Sequence, residues 1–323
     1  MDEKILSDIR QNYGIDLRSF ELINGGWRNQ LWKASDGQRD YIVKKYSPKR
    51  FSRQKLLKVE SALQRQIRLE PYGVPSPRIY LCGQRAIRFL DDDTFYMVMD
   101  FSMGWNETPE TITPSQMESL GTTCAKIHKG FSQLPDSAGN QPDDIPGLLE
   151  EHIYQQEQKF SAGLPTGYQE TFLAGRSIFR GFSRGLFDRL SEGFSHEDFT
   201  PDNVLFDEKG VTAVIDFDRS CYGFPLHDVG RAVLSFALEA DGTKWQMNHK
   251  KVQAFIDGYT QYLPLTWADV ADALRVTWCI EFPWWIDPYF FTDKFKGKAV
   301  RYRQEIQWIT HHWEEIGNLQ ERG

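Results

Sequence analysis

At 323 residues the chain is too long for one small core, and its 40 % hydrophobic and 26 % charged composition excludes a disordered, collagen-like or coiled-coil protein. No apolar run approaches the roughly 20 residues of a membrane span. A net charge of −7 argues against nucleic acid as a partner, which calls for clustered basic surface, and suits a cationic ligand.

In chain order, residues 3–14 read as a short charged helix without the apolar core of a signal peptide. Strand-like runs follow at 20–23, 31–34 and 41–46. Asn24-Gly25-Gly26 and Asp36-Gly37 separate them and supply the positive backbone dihedrals of tight hairpins. Leu56, Val59, Leu63 and Ile67 then recur at helical spacing, which predicts a helix over 52–68. Pro71, Gly73, Pro75 and Pro77 end it. Apolar runs at 86–90 and 94–99, joined by Asp91-Asp92-Asp93, predict a further hairpin. The first hundred residues thus read as a small antiparallel sheet with one inserted helix.

Beyond residue 100 the pattern turns helical, with helices predicted at 114–131, 147–160, 168–192, 227–239, 248–262, 267–281 and 298–317. Two short strands, 204–206 and 211–215, interrupt them, and Phe282-Pro283 marks a helix end. The expected organisation is a strand-rich unit at 1–100 and a helical unit at 101–323. Cys82, Cys124, Cys221 and Cys279 are scattered and form no CxxC pair, so free thiols and a cytoplasmic location are expected.

The segment richest in chemistry is His196-Glu197-Asp198-Phe199-Thr200-Pro201-Asp202-Asn203-Val204-Leu205-Phe206, followed by Val214-Ile215-Asp216-Phe217-Asp218. Phosphoryl transfer asks a protein for positioning and charge neutralisation. One carboxylate must orient the attacking hydroxyl, and a second carboxylate with an amide oxygen must hold Mg²⁺ against the phosphates. An Asp, an Asn further along the same loop and an Asp at a strand end supply those groups.

This arrangement resembles the protein-kinase pattern H-R-D-x-x-x-x-N followed by D-F-G. It is more similar to the aminoglycoside phosphotransferase and choline kinase superfamily, and its texture is nearest to bacterial spore-coat kinase-like proteins and type II homoserine kinases. The resemblance implies that Asp198 is the catalytic Asp and that Asn203 and Asp216 bind the metal. It gives His196 the bracing of the catalytic loop and Asp218 the place of a second acid. Gly223-Phe224-Pro225-Leu226-His227-Asp228 matches G-x-P-x-x-D, in which Asp228 anchors the loop. Many relatives have H-G-D-x-H-x-x-N; Thr200 replaces the second His here, which type II homoserine kinases also lack.

Tyr41-Ile42-Val43-Lys44 has the shape of the kinase motif V-A-I-K, which puts Lys44 on the nucleotide phosphates and Ile42 under the adenine. Strand alternation gives Ile42 and Lys44 one face and Lys45 the other. Glu60, in the inserted helix, is the expected partner of Lys44. The superfamily's degenerate G-G-x-x-N loop carries Gly25, Gly26 and Asn29 over to the nucleotide, and Asp100 and Ser102 fall at the junction that meets adenine. Near the end of the chain Trp278, Glu281, Trp284, Trp285 and Asp287 concentrate aromatic and acidic groups. They read either as packing of the late helices or as a cage for an ammonium group.

The expected fold is α+β, two-lobed and protein-kinase-like, with a small antiparallel-sheet lobe and a larger, mainly helical lobe. The expected activity is transfer of phosphate from ATP, with Mg²⁺, to the hydroxyl of an amine-bearing small molecule. A catalytically silent coat or scaffold protein and a protein Ser/Thr kinase are the alternatives. The absence of an A-P-E segment weighs against the second. The sequence leaves the oligomeric state open.

Overall fold

The computed structural model describes residues 1–23, 29–134, 140–161, 163–182, 185–241, 244–292 and 298–322. The chain opens with α1 (Glu3–Tyr13), capped by the Asp2 carboxylate and stopped at Gly14, whose φ of 68° suits a residue without Cβ. Strands β1 (Ser19–Leu22), β2 (Gln30–Ser35) and β3 (Asp40–Tyr46) follow, then α2 (Arg53–Ile67), β4 (Ile79–Tyr80), β5 (Arg88–Phe89) and β6 (Phe95–Asp100). They form one six-stranded antiparallel sheet in the order β1-β2-β3-β6-β4, with β5 also paired to β6.

Alternation along β3 and β6 divides the apolar side chains between two faces. Tyr41, Val43, Tyr96 and Val98 pack with Ile5 and Ile9 of α1 on one face. Tyr46, Phe95 and Met97 pack with Leu56, Val59 and Leu63 of α2 on the other. Lys44 lies on the α2 face, where it is 5 % exposed. The run expected to be a strand over 86–90 pairs only at Arg88–Phe89. The N–H groups of Ala86 and Ile87 donate to the Glu60 carboxylate instead, at 2.9 and 2.8 Å.

The rest of the chain is mainly helical: α3 (Pro114–Ser132), α4 (Ile145–Lys159), α5 (Thr166–Gly181), α6 (Gly185–Asp188), then β7 (Gly193–Ser195), β8 (Val204–Asp207), β9 (Gly210–Val214) and β10 (Cys221–Gly223). It continues with α7 (Leu226–Ala237), β11 (Leu238–Asp241), β12 (Lys244–Met247), α8 (His249–Thr260), α9 (Trp267–Trp285) and α10 (Lys298–His311). Helices α3 and α8 cross at Gly121 and Gly258. A Cβ on either would sit about 2 Å from a carbonyl oxygen of the facing helix, so only glycine permits this approach. One large core fills the space between these helices, from Leu69 to Leu319.

Three expectations give way here. The helix expected over 168–192 is two, because Phe182 turns extended (ψ 130°) after Gly181 and packs its ring on Phe187 and Trp313. Pro283 does not end its helix: α9 runs on to Trp285, since the ring removes one N–H while buried Phe282 and Ile286 hold the last turn in the core. Four further strands, β7, β10, β11 and β12, lie among the helices, each too short for a period-two signal to emerge.

No helix among the described residues is long and apolar enough to cross a membrane. All four cysteines are free.

Candidate active site

The loop at 196–203 leaves β7 and is held from below by one buried carboxylate. Asp228, in the first turn of α7 and 0 % exposed, accepts the N–H of His196 at 2.7 Å and of Glu197 at 2.9 Å. His128 Nε2 lies 3.0 Å from the same carboxylate, and its Nδ1 meets the Tyr259 hydroxyl at 2.8 Å. Burial opposes the Asp228 charge, but the His128 hydrogen bond and charge outweigh it and keep the carboxyl below its ordinary value.

His196 joins this loop to the strand end that carries Asp216. Its Nδ1 accepts the Asp198 N–H at 3.2 Å, so the ring proton sits on Nε2, which donates to the Ile215 carbonyl at 3.1 Å. The Asn203 side-chain N–H donates to the Asp198 carbonyl at 2.9 Å. That bond turns the amide oxygen of Asn203 into the group available to a cation. Asp216 follows β9 in a left-handed conformation, φ 62°, which an Asp tolerates better than most residues.

Lys44 reaches across from β3 to this loop. Its ammonium donates to Asp216 at 2.8 Å and to Asp218 at 2.7 Å, and Asp218 also accepts the Tyr46 hydroxyl at 3.2 Å. Burial disfavours the Lys44 charge, but the two carboxylates outweigh it and raise its pKa. Burial pushes both acids up; Lys44 reverses this at Asp216, which lies low, and fails to at Asp218, which stays high. Burial also raises the Asp198 carboxyl, partly opposed by the Arg219 guanidinium 3.9 Å away. A carboxyl raised in this way is better suited to take a proton from a hydroxyl.

The donor set fits a hard divalent cation. Asp216 and Asn203 offer a carboxylate and an amide oxygen, and Mg²⁺ is ordinarily held by one or two protein groups together with substrate phosphates. Among the described residues no group of three or more His, Cys, Asp or Glu forms a self-sufficient metal cage.

The sequence profile of the phosphotransferase enzyme family (APH) matches residues 19–262. The chain belongs to this family. The homoserine kinase of Bradyrhizobium sp. (strain BTAi1) is 35 % identical over 175 residues, 54 % of this chain and 50 % of that protein. The homoserine kinase of Methylobacillus flagellatus is 40 % identical over 78 residues, 24 % of each chain. These matches span a quarter to a half of the relatives' length. Among solved structures, an amicoumacin kinase in complex with AMP-PNP, Ca²⁺ and Ami has a TM-score of 0.66 at 15 % identity, covering 95 % of this chain and 93 % of that one. A microcompartment-associated aminopropanol kinase has a TM-score of 0.61 at 16 % identity, covering 98 % and 99 %. Both likenesses are of fold, and they bear out the kinase-like α+β architecture.

Within this family fold the structure redistributes several residues. Glu60 does not meet Lys44: its carboxylate is occupied by Ala86, Ile87 and Gln64, and the lysine's partners come from the strand end instead. Asp218, the second acid, accepts from Lys44 and from the Tyr46 hydroxyl. Gly25 and Gly26 lie outside the described residues; Asn29 accepts the Ser47 N–H at 3.4 Å. Asp100, at the end of β6, accepts the Tyr80 hydroxyl at 2.8 Å, and Ser102 lies two residues on, half-buried.

In the aromatic cluster the Glu281 carboxylate accepts from His227, Arg231 and the Trp285 indole N–H, so its charge is already paired within the protein. Trp278 is fully buried against Phe282 and Trp313, whereas Trp284 is exposed. Asp287 spends one oxygen on the Tyr289 N–H. Packing therefore accounts for most of the cluster.

Sequence reasoning missed His128, Tyr46, Arg219 and His227. Each is a single polar residue whose role is set by a partner distant in the chain, although Tyr46, Arg219 and His227 each stand within or beside a motif. His227 lies between Glu197 at 3.0 Å and Glu281 at 3.2 Å, and despite burial these carboxylates raise its pKa from 6.5 to about 10. A raised folded-state pKa contributes stability that is complete below pH 6.5 and is lost as pH rises toward 10. Denaturant midpoints of the native chain should therefore fall between those pH values. His227→Gln should flatten that part of the slope; an unchanged slope in the variant would remove His227 from the effect.

Proposed function

We propose that this chain is an ATP-dependent O-phosphotransferase that uses Mg²⁺ and acts on the hydroxyl of an amine-bearing small molecule. The observation that carries the reading is the meeting of Lys44 with Asp216 at 2.8 Å, on the far side of a loop that presents Asp198 and Asn203. Lys44 aligns the α- and β-phosphates and, on nucleotide entry, exchanges part of its carboxylate contact for phosphate oxygens. Asn203 and Asp216 hold the metal, which supplies charge neutralisation on the phosphates. Asp198 accepts the hydrogen bond of the acceptor hydroxyl and orients it in line with the γ-phosphate. The oxygen forms the new P–O bond, the β–γ bridge bond breaks with ADP leaving, and Asp198 receives the proton. The nucleotides named in the complexes of the fold neighbours support ATP, both AMP-PNP and the ADP bound to a spectinomycin phosphotransferase.

Homoserine and aminopropanol, named for the relatives and a neighbour, each carry an amine beside a hydroxyl, which supports an amine-bearing acceptor. Since Glu281 is already paired with His227 and Arg231, the second oxygen of Asp287 is the cluster's better seat for an ammonium. A charge-assisted hydrogen bond contributes about 1.5–3 kcal/mol. Replacing the amine of a good acceptor by hydrogen is thus expected to lower kcat/KM by about 10–150-fold. A screen of homoserine, amino alcohols, aminoglycosides and neutral sugars, read by ATP consumption, tests this. A neutral sugar as best acceptor would overturn the amine reading alone; no ATP turnover with any acceptor would favour a silent scaffold.

A further inference from the structure

Beneath the catalytic loop runs a chain of alternating charges that the reaction as described does not use. His227 places Nδ1 3.0 Å from Glu197 and Nε2 3.2 Å from Glu281. A carboxylate oxygen can only accept, so both ring nitrogens donate and the ring is an imidazolium. Glu281 pairs on with Arg231 at 2.8 Å, Arg231 with Glu305 at 2.6 Å, and Glu305 with Arg301 at 2.7 Å. Acids and bases alternate and balance, and the side chains of His227, Arg231 and Glu305 are 4 %, 2 % and 0 % exposed. The chain begins in the catalytic loop and ends on α10, crossing α7 and α9 on the way.

Its loop end carries backbone strain. Glu197, directly before Asp198, has a φ of 65°, a region that costs an L side chain about 1–2 kcal/mol and that glycine enters freely. A glutamate persists in such a turn only where its surroundings over-determine it. Here they do: both backbone N–H groups flanking the turn go to Asp228 or His196, and the carboxylate is clamped by His227 and by the Ser195 hydroxyl.

We infer that Glu197 is a positioning residue for Asp198: its ion pair with His227 holds the left-handed turn that presents the Asp198 carboxylate, and ties that turn through Glu281 to α9 and α10. The inference rests on the phosphotransferase reading for what Asp198 does, and on geometry alone for how the loop is held. It also explains why Glu281 faces inward rather than toward an acceptor.

Glu197→Gly separates the two roles of the residue, because glycine relieves the backbone and removes the clamp. Glu281 still pairs with His227 in that variant, so no buried cation is abandoned. The native chain, Glu197→Gly, His227→Gln and the double variant are compared by amide hydrogen exchange over residues 193–206 and by Mg²⁺-ATP hydrolysis with water as acceptor. Each single variant is expected to exchange about tenfold or more faster in the loop. Each should also lose about 10–100-fold in kcat with KM for ATP within twofold, the signature of a misplaced Asp198 rather than a damaged nucleotide site. The double variant should lose about as much as the more impaired single, since the Glu197–His227 contact that both substitutions remove can be lost only once. Exchange and kcat of Glu197→Gly within twofold of native, or losses that multiply in the double variant, would overturn the inference. If the native chain turns over no ATP with water or with any acceptor of the screen, the proposed function falls, and the exchange comparison decides whether the clamp holds the loop.

Discussion

Asp198→Asn is expected to lower turnover by about 10²–10⁴-fold while leaving ATP affinity nearly unchanged. The substitution keeps shape and burial, and the bonds from the Asp198 N–H to His196 and from the Asn203 amide to the Asp198 carbonyl are backbone contacts of residue 198, which Asn retains. What is lost is the carboxylate to which the proposed mechanism assigns the hydroxyl proton. Burial raises this carboxyl, so the native pH–rate profile should have an acidic limb above the usual Asp range. Steady-state kinetics with the best acceptor of the screen and equilibrium ATP titration check both halves. Near-normal turnover in the variant would remove Asp198 from the chemistry.

Asp216→Asn is expected to abolish the part of ATP affinity that depends on Mg²⁺. Asn tolerates the left-handed backbone at this position, and Lys44 keeps Asp218 as counter-ion, so the fold should survive. Only the strand-end carboxylate disappears. Calorimetric titration of ATP with and without Mg²⁺ reads the difference directly. A variant that keeps the native gain on adding Mg²⁺ would place the metal elsewhere. Lys44 complicates the comparison in a useful way: freed from Asp216, it is available to phosphate, so metal-free ATP affinity should not fall.

Much of the fold and part of the site were legible in the residues. Alternation in Tyr41-Ile42-Val43-Lys44 gave Lys44 the face opposite Val43, and the spacing of Leu56, Val59 and Leu63 gave the helix that packs on the sheet. Asp198 and Asn203 lie on one short loop, where the covalent chain itself keeps them close, as the bond from the Asn203 amide to the Asp198 carbonyl reflects. Periodicity and short-range connectivity are properties of local sequence, and they survive folding.

Partner choice was not legible. Glu60 lies on the expected helix, yet its carboxylate is taken by two N–H groups of the 86–87 turn, while Lys44 finds acids 172 and 174 positions away. Glu281 could have faced a ligand, and the rotation of α9 against α7 turned it onto Arg231 and His227 instead. Pro283 reads as a helix end until the packing of Phe282 and Ile286 holds one more turn. The sequence alone therefore determined the order of the longer elements, the faces they bury and the residues that share the loop at 196–203. The tertiary structure decided which charge meets which, because the burial that makes an ion pair strong exists only once elements distant in the chain have packed around it.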